Sequence, residues 1–275
     1  MAILTELLND QPKVKLLLYG HSGTGKTCFC VSAPKPFIFD FDGKVRSAAM
    51  YLAKNNPEKL KEVEYDGFPR IMQDGKTRCF QKFKVYLSRL EQLAVEGKFP
   101  YKTVCLDSIT LFIEALMEDI MAENPGVKRV NAQTPSIQDY GMLAIQFREV
   151  MGRILALPAN VIVTAHITSE TNQETGRIVW KPMVSGKLAD RLPQIFNEVY
   201  RPFVRNTKES GIQHLAQTRS DGEYVCRTEI PDLPMEIPLA WGSVEEYANK
   251  VIAGAKPQKS VAVNKTQNTE QKEEG

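Results

Sequence analysis

At residues 20–27 the chain reads Gly20-His21-Ser22-Gly23-Thr24-Gly25-Lys26-Thr27, which fits the pattern G-x-x-x-x-G-K-[ST] at every fixed position. An apolar run, Val14–Tyr19, precedes it and predicts a buried strand. The residues that follow, as far as Pro34, predict a short helix. A glycine-rich loop between a buried strand and a helix is the setting in which this pattern binds phosphate.

The chemistry of this loop predicts a nucleoside triphosphate with Mg²⁺. Glycines let the backbone curl so that N–H groups point at the phosphates, and the helix dipole behind them favours an anion. Lys26 would reach the β- and γ-phosphates, and the Thr27 hydroxyl would hold Mg²⁺. The alternative, a glycine turn that binds nothing, is disfavoured by the Lys-Thr pair and by the buried strand. The residues expected to bind the nucleotide are Gly20, His21, Ser22, Gly23, Thr24, Gly25, Lys26, Thr27 and Cys28.

Length and charge restrict the class of protein. A chain of 275 residues predicts one large α/β domain over residues 1–253, followed by a polar tail at 254–275 that we expect to be disordered. The formal net charge of +2 gives no global polycation, so any nucleic-acid contact must come from a local patch. Within residues 1–12, four apolar residues at helical spacing would pack on the domain or on a neighbouring subunit: Ile3, Leu4, Leu7 and Leu8.

The cysteines and the hydropathy pattern predict a cytoplasmic protein. The five cysteines are scattered without zinc-ligand spacing, which is typical of reduced thiols in the core of a cytosolic protein. We find no basic and apolar leader segment and no apolar run long enough to cross a bilayer. The expectation is therefore a soluble protein with no membrane partner.

Polar residues end three further predicted strands, which are Pro36–Gly43, Thr103–Ser108 and Asn160–His166. Because these strands alternate with helices, they predict a parallel sheet whose ligands bind at the carboxyl ends of the strands. We therefore expect Asp42, Asp107 and His166 to lie beside the glycine-rich loop. Asp107 matches the acid that follows a buried strand and holds Mg²⁺ through coordinated water. An aspartate in this position can instead cap the next helix, but the upstream loop favours the metal role.

The rest of the chain predicts five helices, an antiparallel extension of the sheet and a final, sixth helix. The helices are Arg46–Ala53, Cys79–Glu96, Ile109–Ala122, Ser136–Leu157 and Leu188–Phe196. The stretch from Thr168 to Gly186 is predicted to be a long polar loop without secondary structure. Three strand-like runs, separated by turn signals, are Glu198–Val204, Gln213–Arg219 and Tyr224–Ile230. Ser243-Val244-Glu245-Glu246 has the form of a capping box and predicts the start of a final helix.

The order of these motifs resembles the RecA-like ATPase core. More closely, the chain is similar to phage-encoded AAA-type nucleotide-binding proteins related to Sak-type single-strand annealing ATPases. The resemblance rests on Tyr19–Thr27, Phe39–Gly43, Val104–Ser108, Asp139-Tyr140-Gly141, Val161–His166 and the run from Gly186 to Pro193. It implies an α/β fold: a RecA-like P-loop NTPase core with a mostly parallel central sheet, flanking helices and an antiparallel C-terminal extension. It also implies ATP as the nucleotide and, for a phage protein, the host cytoplasm.

The resemblance implies catalytic roles for residues outside the loop. Asp42 occupies the place of the glutamate that activates the attacking water, and Asp40 competes for this role. His166 takes the sensor position and would bond the γ-phosphate, although a satisfied buried histidine is the alternative. Arg227 would complete the site of a neighbouring subunit in a ring or filament, with Arg219 as an equal rival. The implied catalytic set is Lys26, Asp42, Asp107, His166 and Arg227.

The resemblance also implies single-stranded DNA as a partner. Stacking on an aromatic side chain and neutralisation of phosphates would give binding without sequence preference. The candidate contacts are Lys128, Arg129, Arg177, Trp180, Lys181 and Lys187. The alternative is that Trp180 belongs to the core and that the basic side chains are merely solvated.

Three functions remain open at this stage. The first is an ATPase that assembles on single-stranded DNA, promotes annealing or strand exchange, and could contact a single-strand-binding protein through its tail. The second is an ATP-gated loader or assembly protein that acts on a protein partner with little direct DNA binding. The third, a kinase for a small molecule, ranks last because no lid insertion or acceptor motif is found.

Overall fold

The computed structural model describes residues 13–70, 72–73, 76–171, 173 and 176–255. The segment 1–12 and the part of the predicted tail beyond residue 255 lie outside the described residues. No helix in the described part of the chain combines the length and the apolar character needed to span a membrane.

Helices separate the successive parallel strands of the main sheet through the first three quarters of the chain. The strands are β1 Lys15–Tyr19, β2 Pro36–Asp40, β3 Glu64–Gly67, β4 Met72–Gln73, β5 Lys76–Thr77, β6 Thr103–Asp107, β7 Asn160–Ala165, β8 Ile167–Thr171, β9 Ile178–Pro182, β10 Glu198–Thr207, β11 Gly211–Gln217 and β12 Glu236–Pro238. The α-helices are α1 Lys26–Ser32, α2 Val45–Asn55, α3 Cys79–Val95, α4 Ile109–Glu123, α5 Ile137–Ala156, α6 Leu188–Arg191 and α7 Trp241–Ala255. Short 3₁₀-helices span Pro57–Glu62 and Leu192–Ile195.

An eight-stranded sheet organises the fold, with the strand order β12-β11-β10-β1-β7-β6-β2-β3. The strands from β10 to β3 in this order are all parallel to their neighbours. β11 pairs antiparallel with β10, and β12 pairs antiparallel with β11. The predicted fold class, a mostly parallel α/β sheet with an antiparallel C-terminal extension, is confirmed.

The central strands read as continuous apolar runs because helices cover both faces of the sheet. One core contains Leu17 and Val163 and is closed by apolar residues of α3, α4 and α5. The core on the other face contains Leu16 and Ile162 and is closed by α1, α2 and α7. This packing holds β1, β2, β6 and β7 side by side, and all four run in the same direction. Their carboxyl ends and the residues that follow them therefore lie at one edge of the sheet.

The stretch Thr168–Gly186 is not the structureless loop that the sequence predicted. β8 and β9 form an antiparallel hairpin in which Ile167 pairs with Pro182 and Thr171 with Ile178. Its residues are mostly exposed, so the hairpin lacks the alternation of apolar and polar residues from which a strand is recognised.

Two predictions at the C-terminal end were also wrong. Tyr224–Ile230 is not a strand, because only isolated bridges join Tyr224 to Trp180 and Arg227 to Val199. The last strand of the sheet is instead the short β12. The final helix begins at Trp241, two residues before the predicted cap at Ser243, and the Trp241 backbone N–H donates to Ser32 Oγ at 2.9 Å.

Candidate active site

The glycine-rich loop leaves β1 at Gly20 and enters α1 at Lys26. Gly23 and Gly25 have φ angles of 80° and 101°, in the left-handed region that favours glycine. A Cβ atom on Gly25 would lie 3.0 Å from Leu239 Cδ2. The backbone angle therefore favours glycine at position 25, and a side chain there would also crowd Leu239.

Lys26 folds back over the loop. Its Nζ donates to the carbonyl oxygens of Gly20 and His21, each at 2.9 Å, and the residue is 7% exposed. Burial lowers the pKa of Lys26, and the carboxylates of Asp107 and Asp42 oppose that shift. A cation held by carbonyl oxygens beside two acids can exchange these partners for the oxygens of a phosphate.

Asp107 ends β6 and faces the start of α1. Its Oδ2 accepts from Thr27 Oγ1 at 2.7 Å, and its Oδ1 accepts from the hydroxyl of Thr164. Burial raises the pKa of the Asp107 carboxyl, although both hydroxyls favour its charged form. A hydroxyl and a carboxylate this close are the oxygen donors that Mg²⁺ takes when phosphates and water complete its shell. Thr27 and Asp107 thus fit the predicted metal site.

Asp42 lies beside Asp107, whose carbonyl oxygen accepts from the Asp42 backbone N–H at 3.1 Å. Three side chains converge on the Asp42 carboxylate: Ser108 Oγ at 2.5 Å, His166 Nε2 at 3.1 Å and Lys44 Nζ at 3.3 Å. Burial favours the neutral form, but the hydrogen bonds from His166 and Ser108 outweigh it and hold the pKa of Asp42 well below its usual range. The site therefore holds an ionised carboxylate at the place expected for the residue that orients water.

Asp40, the rival for that role, has a different task. Its Oδ1 accepts from the backbone N–H groups of Gly43 at 2.8 Å and Lys44 at 3.2 Å, and its Oδ2 accepts from Val45 at 3.3 Å. These bonds close the turn after β2 and satisfy the first free donors of α2. Asp42, not Asp40, lines the cleft.

His166 directly follows β7 and joins the site to the β8–β9 hairpin. Its backbone N–H donates to Thr110 Oγ1 at 3.1 Å, and its carbonyl oxygen accepts from Met183 N at 2.8 Å. Its ring contacts Asp42, and the next residue, Ile167, begins β8. The same residue therefore touches the acid of the site and anchors both ends of the hairpin.

These residues surround one cleft of about 210 Å³ at the carboxyl edge of the sheet. Its lining residues are Ser22, Gly23, Gly25, Lys26, Thr27, Cys28, Asp42, Lys44, Ser47, Asp107, His166 and His214. The structure thus brings together Lys26, Thr27, Asp42, Asp107 and His166, as expected from their positions at strand ends.

Sequence reasoning missed three residues of this cleft. His214 of β11 places Nδ1 3.0 Å from the Thr24 carbonyl oxygen, so the antiparallel extension contacts the loop directly. Nothing in the sequence near His214 indicates this contact, since 190 positions separate the two residues. Lys44 and Ser47 could have been found, because they follow Asp42 closely at the start of a predicted helix.

Trp180 packs against the glycine-rich loop. Its ring meets the ring of His21 edge-on at 5.3 Å and stacks on Tyr224 at 6.0 Å with an interplanar angle of 4°. The Arg201 guanidinium lies 3.6 Å from the Tyr224 ring centroid. Trp180 is half-buried in this stack, a position between the two alternatives of an exposed platform and a core residue.

Two of the basic residues expected at DNA are engaged in ion pairs. Arg129 is only 9% exposed and donates to both oxygens of Asp139, at 2.8 and 2.6 Å. Lys181 pairs with Glu170 at 2.6 Å and with Asp190 at 2.7 Å. In this conformation neither cation points freely to solvent.

The other three basic candidates are exposed at the surface. Lys128 belongs to the connection before α5, Arg177 precedes β9, and Lys187 precedes α6.

The two arginines proposed to act on a neighbouring subunit lie outside the lining of the cleft. Arg227 is 44% exposed and donates to Glu229 Oε1 at 2.8 Å. Arg219 donates to the carbonyl oxygen of Leu233 through Nε at 3.4 Å and through a terminal nitrogen at 3.3 Å.

Comparison with solved structures gives two distant similarities. An ATPase from the type III secretion system of pathogenic bacteria aligns with a TM-score of 0.43 and 13% identity, covering 71% of this chain and 52% of that one. The present chain thus spans about half the length of that ATPase. The RadB recombinase aligns with a TM-score of 0.39 and 17% identity, covering 78% of this chain and 84% of that one. No curated protein sequence matches significantly.

The family comparison covers the whole of the site described above. A family model described as an AAA domain matches residues 12–229, which include the glycine-rich loop, both acids, His166 and the hairpin that follows it. Because this match extends over most of the chain, the protein belongs to the AAA domain family.

Proposed function

We propose that the protein hydrolyses ATP with Mg²⁺. The observation that carries this proposal is the single cleft in which Lys26, Thr27, Asp107 and Asp42 meet. Phosphoryl transfer needs positioning, a metal, an oriented water and neutralised charge, and each need has a residue here.

Each side chain has a defined part in this reaction. Lys26 leaves the loop carbonyls and binds the β- and γ-phosphates. Thr27 and Asp107 would hold Mg²⁺, which would supply charge neutralisation at the phosphate oxygens. Asp42 would accept a hydrogen bond from the water that attacks the γ-phosphorus. The new P–O bond forms as the bond to the ADP oxygen breaks, and the water proton passes to the released phosphate. His166, in contact with Asp42, forms a hydrogen bond to the γ-phosphate and so senses whether it is present.

We propose further that the protein acts as an oligomer on single-stranded DNA and promotes annealing or strand exchange. Support comes from the hairpin that starts next to His166 and returns through Trp180 to the glycine-rich loop. If nucleotide binding moves His166 or the glycine-rich loop, the exposed face of the hairpin would move with them. Lys128, Arg177, Trp180 and Lys187 are the candidate DNA contacts on this proposal.

An ATP-gated loader that acts on a protein partner is the second candidate. It is favoured by the ion pairs of Arg129 and Lys181, which occupy two of the six expected DNA contacts. The net charge of +2 also favours the loader. Binding to DNA phosphates would need a patch of exposed basic side chains, which a net charge this small does not indicate.

The deciding experiment measures ATP hydrolysis with Mg²⁺ in the presence and absence of single-stranded DNA, for the wild type and Lys26→Ala. Particle size is read by light scattering in the same samples. A rate that rises with DNA, is lost in Lys26→Ala and accompanies larger particles supports the DNA-dependent ATPase. Hydrolysis that ignores DNA, with no DNA-bound species, supports the loader. No hydrolysis by the wild type under either condition contradicts both.

A further inference from the structure

A second cavity, separate from the nucleotide cleft, lies between α5 and the segment 188–195. It has a volume of about 320 Å³ and is called the α5 groove here. Its floor is apolar and includes the buried side chains of Phe147, Met151 and Leu192. The apolar surface that the groove leaves in water comes from Ile195, which is 43% exposed, and from the half-buried Leu155. Another apolar segment could cover this surface.

The rim of the α5 groove is positively charged. Arg148 and Arg191 line it and are exposed. The Arg148 Nε donates to the carbonyl oxygen of Ala144 on its own helix at 3.1 Å. Within the described residues, neither guanidinium forms an ion pair with a carboxylate. The groove therefore favours an occupant that is apolar on one face and acidic beside it.

The sequence of residues 1–12 has both properties. Ile3, Leu4, Leu7 and Leu8 recur at the spacing that places apolar residues on one face of a helix. Glu6 and Asp10 are its charged side chains, and the segment contains no lysine or arginine.

The dimensions agree as well. A helix of eight residues, the number from Ile3 to Asp10, would be about 12 Å long. It would fit along the wall of α5 from Ala144 to Leu155, which is about 16 Å long.

A competing cavity lies next to Lys13, where the described chain begins, and is the obvious alternative for this segment. It is lined by apolar residues such as Ile230 and Val251, and by Lys13, Glu198 and Glu229, of which Glu229 already pairs with Arg227. One lysine beside two carboxylates attracts an acidic segment less than the α5 groove does, because two arginines and, among the residues that the structure describes, no carboxylate line that groove. Both cavities are apolar, but the charge of their lining residues favours the α5 groove over the cavity beside Lys13 as the site for this segment.

We propose that residues 1–12 bind in the α5 groove with Ile3, Leu4, Leu7 and Leu8 against its apolar floor and the acids beside Arg148 and Arg191. The occupant is this segment, whether it comes from the same chain or from a second copy. This inference is independent of the proposed ATP hydrolysis, since the groove shares no residue with the nucleotide cleft.

The test uses the full chain with the photoreactive residue benzoylphenylalanine in place of Leu8. Irradiation followed by mass spectrometry is expected to join position 8 to peptides from α5 or from the segment 188–195. The same residue in place of Thr5, on the opposite face of the predicted helix, is the matched control and should give far fewer of these products. Migration of the product as one chain or two tells which molecule supplies the segment.

Charge reversal provides the second arm. Arg148→Glu with Arg191→Glu is expected to reduce the crosslink yield about fivefold, as the loss of two exposed ion pairs would. Adding Glu6→Arg and Asp10→Arg should restore it, which a folding defect would not allow. Crosslinks to the cavity beside Lys13, equal yields from positions 5 and 8, or no products at the groove would each overturn the proposal.

Discussion

Asp42 is the residue at which burial and hydrogen bonding compete most directly. Burial alone would favour its neutral form, yet donors from His166 and Ser108 keep its pKa below the usual range. A carboxylate with such a pKa is a weak base, so in the proposed hydrolysis it would orient water and stabilise charge rather than take up a proton. The sequence could suggest the position of Asp42 but not these partners, which arrive from β6 and β7 only after folding.

The first prediction concerns Asp42→Asn. We expect turnover to fall by about 10²- to 10⁴-fold, in the range found for removal of a positioned acid–base group. ATP affinity should change little, because Lys26 and Thr27 remain. Single-turnover hydrolysis and binding of a fluorescent ATP analogue measure the two effects. The factor should be the same at pH 6 and pH 8, since the low pKa keeps Asp42 ionised at both.

Asp40→Asn is the control for this prediction. That carboxylate accepts from three backbone N–H groups at the start of α2 and does not line the cleft. We expect reduced stability but near-normal turnover per folded molecule. Equal loss of turnover in the two variants would remove Asp42 from its assigned role.

The second prediction separates backbone strain from steric contact. Gly43 and Gly25 both have positive φ, but a Cβ on Gly43 meets nothing within 4 Å, whereas one on Gly25 meets Leu239 and His214 at 3.0 and 3.3 Å. Gly43→Ala should lower the free energy of unfolding by about 1 kcal/mol from strain alone. Gly25→Ala should lower it by about 3 kcal/mol, because overpacking adds to the strain.

Urea denaturation of both variants checks this difference. Combining Gly25→Ala with Leu239→Ala should recover part of the added loss. If the two glycine variants are equally stable, the C-terminal extension does not pack on the loop as described.

At the scale of elements, the residue pair Lys128 and Arg129 offers a test of how the loop before α5 is built. Arg129 binds Asp139, and Asp139 also forms a capping box with Ser136 at the start of α5. The guanidinium thus fixes a loop to a helix terminus. Its neighbour Lys128 is exposed, so adjacent basic residues that look alike in the sequence have different surroundings.

The third prediction contrasts Arg129→Gln with Lys128→Gln. We expect Arg129→Gln to lower the melting temperature and to leave the salt dependence of DNA binding unchanged. Lys128→Gln should leave the melting temperature unchanged and reduce the salt slope of single-stranded DNA binding by about 0.7, the value for one phosphate contact. Thermal denaturation and titrations at several salt concentrations provide both measurements.

The pH dependence gives the control for Arg129. The Arg129 guanidinium holds the pKa of Asp139 well below its usual range. A carboxyl group whose pKa is lower in the folded than in the unfolded protein stabilises the fold at pH values above its ordinary pKa. This stabilisation is lost as the pH falls. The difference in melting temperature should therefore be complete at pH 7 and shrink as the pH falls below about 4. A difference that stays constant on acidification would contradict the ion pair.

Helices and strands could be predicted where apolar residues recur at a regular spacing or form an unbroken run. The strands β1, β2, β6 and β7 and the long helices were predicted within a few residues, because burial on both faces demands unbroken apolar runs. β10 was predicted as a strand of the antiparallel extension, but it pairs parallel with β1. The β8–β9 hairpin was missed because its exposed residues carry no such run. β12 was missed because its three residues, the last of which is Pro238, are stabilised by the neighbouring strand β11 rather than by their own composition.

For the whole molecule, motif order was sufficient to predict the fold class, since the direction of parallel strands places all their carboxyl ends at one edge. The contact between the C-terminal extension and the glycine-rich loop could not be predicted in this way. It joins His214 to Thr24 across most of the chain, and no local periodicity encodes such a distance. The same limit applies to contacts between copies of the chain.

The last prediction addresses whether the site is completed by a second copy. Arg227 is exposed and does not line the cleft of its own chain, so a catalytic role would require a neighbouring subunit. Arg227→Ala and Lys26→Ala should each be inactive alone. Mixed in equal amounts, they should recover about one quarter of the wild-type rate, because in a head-to-tail assembly a quarter of the interfaces join an intact loop to an intact arginine. The same mixture with Arg219→Ala in place of Arg227→Ala tests the rival residue. Full activity of Arg227→Ala by itself would eliminate Arg227 and leave Arg219 as the candidate. Recovery with neither arginine variant would show that the neighbour contributes neither arginine.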